Sequence, residues 1–359
     1  MTSVLISSLW GLAMIRIRPE VSNQLKAGDA GAVTTALQVA LELEFATIPP
    51  YLYAMWSLGS GSANSAVSQI IKSVIHDEMR HLAMVANIIN ALGGTPVLAS
   101  PDHIPRYPHE LPGSVEHDLV VGLAPFSVGL VQNTFMVIEQ PEQPLQFHVA
   151  AALAADEPMT IGQFYRTILH TIDHLGAGAF SGPPDNQVAL DGVVTVTDVA
   201  TAEQAINTII DQGEGTAASP IESAGTNLPG TDFAHYYRFA EIVHGRKLMP
   251  NPDAGPSTPP DQQFIFGPDV ISVPTGVLAA PVNPTAAGYP EGSAARTACD
   301  DYNATYTSML KMLQTVFTGQ PDQLGDAVGA MFSLQGKATR MMAATPSAGP
   351  SFEWREAST

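Results

Sequence analysis

Apolar residues recur at steps of three and four along residues 31–58 and 64–92, and this spacing predicts two long helices joined by the turn GSGSANS. Gly93-Gly94 supplies the left-handed cap at the end of the second. Prolines at 96, 101, 105, 108 and 112 make 95–114 an irregular connection. A third helix is predicted over about 116–140 and stops at Pro141. Short helices follow near 145–156 and 158–175. Strand-like residues in DNQVALDGVVTVTDV then lead into a helix ending at Gly213, and a further helix covers about 231–247. Ten prolines between Pro250 and Pro290 imply an extended arm, with QFIFGPDVISVP available for short strands. Residues 297–345 read as a helical hairpin closed by Gly319-Gln320-Pro321.

The expected architecture is mainly α. Residues 1–28 form an N-terminal extension, and 29–250 a four-helix bundle with an insertion of about 141–230 between helices three and four. A proline-rich arm follows at 251–298, then a C-terminal helical hairpin and tail at 299–359.

Two charged residues break the pattern of the second helix. Val67, Ile71, Val74, Glu78, His81, Val85, Ile88 and Leu92 define a bundle-facing stripe, and Glu78 and His81 stand in its middle. Residues three apart on a helix are neighbours, and a buried carboxylate requires compensation. A metal ion is the natural partner of an inward E-x-x-H pair. The first helix places Glu44 on a stripe with Leu37, Leu41, Ile48, Tyr51 and Met55, while Glu42 points roughly oppositely into solvent. In HYYRFAEIVHG, Glu241 and His244 form a second E-x-x-H on the stripe Ala234, Tyr237, Leu248. Glu139 follows an apolar run in FMVIEQP, with Glu142 and Glu157 as alternatives. The candidate metal ligands are therefore Glu44, Glu78, His81, Glu139, Glu241 and His244. Four carboxylates and two neutral imidazoles balance two divalent cations. Their chain order (Glu, Glu-x-x-His, Glu, Glu-x-x-His) is that of ferritin-like di-iron bundles. His76 is followed by Asp77, so the H-E-x-x-H zinc signature is absent.

The strings LQVALELEFATIPPYLYAMWSL and HDEMRHLAMVANIINALGGTP resemble the ferritin-like domain of the iminophenyl-pyruvate dimer synthase family, in its stand-alone form. IEQPE, IGQFY, IIDQGEG and HYYRFAEIVHGRKL extend the likeness over about residues 36–250. The resemblance implies the same six ligands and a ferritin-like four-helix bundle carrying an insertion. It also implies two iron ions, with manganese as the alternative, and an activity that oxidatively couples imines derived from an aromatic amino acid.

Such an iron pair is expected about 3.5–4 Å apart and bridged by Glu78 and Glu241. Beyond the ligands the sequence assigns no catalytic residue. Pro49-Pro50 is expected to bend the first helix beside the metals. Tyr51, Tyr165, Tyr236 and Tyr237 are candidates for the pocket, for a radical relay or for packing, and His170, His174 and His235 for lining the cavity or for contacts to ligating carboxylates. The leading reading is a di-iron oxidase or oxygenase taking a small molecule and dioxygen. The alternatives are a ferroxidase or iron-storage protein and a metal-stabilised binding module.

Composition narrows the partners. The 359-residue chain carries 34 acidic and only 15 basic residues, a net charge of −19, which argues against nucleic acid and anionic membranes. One cysteine, Cys299, excludes an internal disulfide framework and fits a reducing, cytoplasmic setting. No apolar window reaches membrane-spanning length. Residues 1–13 read as a start-site extension with Met14 as the alternative start. A homo-oligomer is compatible with the sequence and not fixed by it.

Overall fold

The computed structural model describes residue 25 and residues 30–59, 65–112, 119–141, 161–215, 219–221 and 233–356. The first two helices, α1 (Ala30–Ser57) and α2 (Ala66–Ala91), form its spine. They run antiparallel: Val33 to Leu41 of α1 pack with Leu82 to Ala91 of α2, and Leu43 to Leu58 with Val67 to Ile75. Ser65 caps α2 by accepting the Ser68 N–H. Gly93, at φ +76°, ends it in the left-handed conformation that glycine adopts without steric cost.

Pro49 and Pro50 lie inside α1, yet the helix continues through them to Ser57. Pro50 has no N–H for the Ala46 carbonyl four residues back. The Tyr107 hydroxyl donates to that carbonyl instead, at 2.7 Å.

The third helix is shorter than its sequence pattern suggests. It comprises Val128–Leu130, a π turn at Val131–Phe135, and Met136–Ile138, together α3. Residues 119–127 form no helix, and His109 pairs with Val121 in an isolated bridge. Helices α4 (Ile161–Leu175), α5 (Val199–Gly213) and α6 (His235–His244) follow. The expected helix at 145–156 lies outside the described residues.

The strand-like segment before α5 forms no strand. Its backbone groups are taken up by side-chain amides: Asn87 bonds both Val188 and Val194, and Gln187 bonds Val196. The helix expected to 247 stops at His244, where Gly245 (φ +64°) caps it. The chain continues as β1 (Arg246–Pro250), antiparallel to β2 (Phe264–Val270).

Helices α3 and α6 cover one end of the α1–α2 pair through Val131, Phe135, Ile138, Phe239 and Ile242. Helices α4 and α5 cover the other end through Phe164, Ile168, Ile206 and Ile210. The third and fourth rods of the bundle are thus each present in two pieces. Both interruptions fall at the level of Glu44 and Glu78, halfway along the spine.

The C-terminal helices α7 (Ala294–Phe317) and α8 (Leu324–Ala343) form a hairpin against the spine. Phe352 is its keystone. It stacks on Trp56 with centroids 6.0 Å apart and meets Tyr302 and Tyr306 edge-on at 5.3 Å each. No described helix is long and apolar enough to cross a membrane.

Truncating Phe352 to alanine deletes a ring that is 1% exposed and contacts three others. The expected cost is roughly 3–5 kcal/mol, read as a lower denaturant midpoint. A loss within error would show that the hairpin does not depend on this packing.

Candidate metal centre

Glu44 of α1, Glu78 and His81 of α2, Glu139 at the end of α3 and His235 at the start of α6 converge where the broken rods meet. None of the five is more than 7% exposed. They form two groups whose donor atoms lie within 4.8 Å of one another: Glu44, Glu78, His81, and Glu78, Glu139, His235. Glu78 belongs to both.

Each imidazole turns Nδ1 toward the carboxylates. His81 Nδ1 lies 3.4 Å from Glu44 Oε2 and 3.8 Å from Glu78 Oε1. Its Nε2 pairs with Gln212 Oε1 at 2.8 Å, which holds the ring with Nδ1 toward the carboxylates. His235 Nδ1 lies 2.9 Å from Glu78 Oε1 and 3.3 Å from Glu139 Oε2, with Nε2 3.5 Å from Asp77 Oδ2. The carboxylates are oriented from outside as well. Tyr165 donates to Glu44 Oε1, Tyr51 to Glu139 Oε1 at 2.6 Å, and the Thr47 hydroxyl lies 3.0 Å from Glu78 Oε2.

A cavity of about 40 Å³ adjoins these groups. Leu43, Ile138, Ile161, Ile209 and Ile210 supply its apolar wall, and Glu214 a further carboxylate. Glu214 Oε1 accepts the Gly162 N–H at 2.8 Å, and a Cβ at Gly162 would lie 2.5 Å from its Oε2. Glycine is therefore required for this close approach. Glu139 and Glu214 each directly follow the last residue of a helix, α3 and α5. The partial negative charge of those helix ends adds to that of the carboxylates and favours cations between them.

The protonation pattern expresses the same crowding. Burial, then the charges of Glu139 and Glu44, push Glu78 from 4.5 to about 7, against the pull of His235. Burial disfavours charge on His235, but Glu139, Asp77 and Glu78 outweigh it and hold the imidazolium well above its ordinary range. His81 is raised likewise: burial opposes its charge, and Glu44 and Glu78 prevail. Burial raises Glu44, yet the hydrogen bonds from His81 and Tyr165 bring it below its ordinary value.

Two sequence-predicted ligands do not reach the centre, and this corrects the second E-x-x-H assignment. Glu241 accepts the Leu248 N–H at 2.7 Å, and His244 is exposed and stacks on Phe266 at 3.9 Å. The reason is helical phase. His244 lies nine residues beyond His235, about two and a half turns, so it occupies the opposite side of α6. The stripe with Tyr237 and Leu248 packs on Phe264 in a satellite cluster, while Phe239 and Ile242 face the bundle. The expected Glu241 bridge goes with the correction.

Of the candidate tyrosines, Tyr51 and Tyr165 touch the cluster. Tyr236 and Tyr237 meet edge-on, and Tyr237 belongs to the satellite cluster. His170 and His174 are exposed. Glu142 and Glu157 lie outside the described residues. Sequence reasoning had His235 only as a possible contact. It assigned no role to Gln212, Asp77, Arg238 or Glu214. No local spacing singled them out, because arginine, aspartate and glutamine on a helix ordinarily face solvent.

Residues 37–244 match the model of the ferritin-like family. The crystal structure of a ferritin-like protein from Caulobacter vibrioides at 1.95 Å resolution is similar, with a TM-score of 0.57 and 24% identity. The match covers 90% of this chain and 97% of that one, and at this identity it speaks for the fold. No functionally curated protein matches the chain.

Glu78, His81 and His235 hold protons to higher pH in the folded chain than in the unfolded one. The stability each contributes is therefore full below its unfolded pKa and lost as pH rises through its folded pKa. Glu44 has the opposite sign, and its contribution is lost only as pH falls below about 4. Metal-free protein should accordingly become less stable between about pH 5 and 8, measured by denaturant midpoints after chelation. A flat or rising trend would contradict this charge arrangement.

Proposed function

The chain belongs to the ferritin-like family, and on that premise we propose that it is a two-metal oxidase or oxygenase, with Glu78 held in common by both metal positions. The observation that carries this reading is the membership of Glu78 in both donor groups. The donor set fits a pair of hard divalent cations, iron or manganese, since every donor is carboxylate oxygen or imidazole nitrogen. Glu44 and His81 would hold one ion, Glu139 and His235 the other. Glu214, on the cavity wall, would take the place of the fourth carboxylate that Glu241 does not supply. Four carboxylates then balance two divalent charges, and burial ceases to be a penalty.

When bound, an iron pair supplies electrons to dioxygen and so drives the oxidation of a second molecule. The protein's own groups set the conditions. Gln212 keeps His81 Nδ1 aimed inward. Tyr165 and Tyr51 each hold a proton at one carboxylate oxygen, beyond the reach of bulk base, because burial and the neighbouring carboxylates raise both phenols well above their ordinary value. The aliphatic wall keeps bulk water from the reacting atoms. By its resemblance to the iminophenyl-pyruvate dimer synthase family, the organic substrate is a small amino-acid-derived molecule such as an aromatic 2-imino acid.

One observation favours a second reading. About 40 Å³ accommodates two or three water-sized species, enough for ions and dioxygen but not for an aromatic imine. In that case Fe(II) is itself the substrate and the protein is a ferroxidase. The organic reading requires the wall formed by α4 and α5 to part.

Wild-type protein should bind about two metal ions per chain, and the Glu78→Ala, His81→Ala double variant essentially none, measured by elemental analysis. Glu241→Gln and His244→Ala should retain both ions. Unchanged metal content in the first variant would end the two-metal reading. Dioxygen uptake by the reduced protein separates the substrates. Stoichiometric consumption with an added 2-imino acid supports the oxidase, and uptake that tracks Fe(II) alone supports the ferroxidase.

A further inference from the structure

Arg238 has no place in the mechanism above, yet its side chain is fully buried. It sits on α6 three residues after His235, so the two share a face. Its Nη1 donates to Asp77 Oδ2 at 2.7 Å and to Ser73 Oγ at 3.2 Å, and its Nε donates to the Phe233 carbonyl. Asp77, beside Glu78 on α2, also receives Arg80 Nη1 on Oδ1 at 2.8 Å. Arg80 is in turn tied to the Asp191 carbonyl.

Two arginines satisfy Asp77, so a plain staple between α2 and α6 would be complete without a third partner. The third partner is the His235 ring. Its Nε2 is buried without a hydrogen bond and lies 3.5 Å from the same Asp77 Oδ2 that Arg238 holds, a charge contact, while its Nδ1 edge points at Glu78 and Glu139. An anion fixed beside one edge of a buried imidazole favours, through its charge, the ring plane that turns the opposite nitrogen toward the other carboxylates. The other half of the centre does not use this device, because His81 is oriented by Gln212 on α5.

We propose that Arg238 is a positioning residue: by locking Asp77 it sets the plane of the His235 ring, and with it the metal position built from Glu139 and His235. The Glu44–His81 position is independent of it. The inference rests on the two-metal reading and adds an asymmetry that this reading lacks.

Removing Arg238 alone deprives a buried carboxylate of its closest partner and risks unfolding. The test therefore uses the Asp77→Asn, Arg238→Met pair, which removes both charges, alongside Arg238→Lys, which keeps the charge but loses the planar fork. The probe is Co(II), titrated anaerobically into metal-free protein and followed by its visible absorption, with circular dichroism as the check on folding. Wild type should saturate near two ions per chain. The double variant, folded, should keep one site at wild-type affinity and bind the second at least tenfold more weakly, with the corresponding absorption lost. Should the double variant fail to fold, Arg238→Lys gives the same reading through selective loss of one site. A folded variant that keeps both sites at unchanged affinity overturns the proposal and leaves Arg238 a staple. Wild-type protein that takes up no Co(II) overturns the two-metal reading and this inference with it.

Discussion

The mutual repulsion of three carboxylates in an interior with little water is the constraint to which the rest of the structure answers. Glu44, Glu78 and Glu139 are each nearly inaccessible, and Glu78 gives up its ordinary acidity as a result. The surrounding carboxylates raise the proton affinity of both imidazoles, His81 and His235, against the opposition of burial. Divalent ions would replace protons held there with fixed charge, which makes metal uptake and proton release one process. The hydroxyls of Tyr51, Tyr165 and Thr47 and the amide of Gln212 occupy the outer carboxylate oxygens and His81 Nε2.

The breaks in the third and fourth rods follow from the same site. An unbroken helix displays at most one or two inward side chains per turn at a given level. An interrupted one can end there, bringing its terminal residue and the backbone of its last turn to the carboxylate–imidazole cluster. Here α3 ends at Glu139, α5 ends at Glu214, α6 begins at His235, and α4 contributes Gly162 and Tyr165 close to where its described portion begins. The π turn in α3 lies one turn before Glu139, and Phe135 from that turn packs on Tyr51, which holds Glu139. Such turns are frequent at functional sites because they shift the phase of whatever follows.

Cooperation between helix ends and spine also explains how residues distant in sequence work as pairs. Asp77 and Glu78 are neighbours in the chain, yet one serves the ligand network and the other the clamp behind it, because consecutive residues on a helix point about 100° apart. The C-terminal hairpin braces the spine on another side. There Phe352 inserts between Trp56, Tyr302 and Tyr306, and Glu353 accepts hydrogen bonds from Ser351 and the Ala286 backbone.

Much of this was legible in the residues alone. A continuous apolar stripe leaves one phase for a long helix, so Glu44, Glu78 and His81 had to face inward, and the run before Pro141 brought Glu139 with them. The mainly helical architecture and the C-terminal hairpin follow from the same periodicity. Helix α6 was different: it is short and buried on two sides, so it carries two apolar stripes, and periodicity cannot say which faces the bundle. Only packing resolved this, setting Phe239 and Ile242 against α1–α3 and turning Glu241 and His244 toward the β hairpin and the surface. The meeting of Glu214 with Gly162 and of Gln212 with His81, and the grip of Arg238 on Asp77, were likewise decided by the tertiary structure. Each joins residues from separate helices, and local spacing carries no information about which ends will come together.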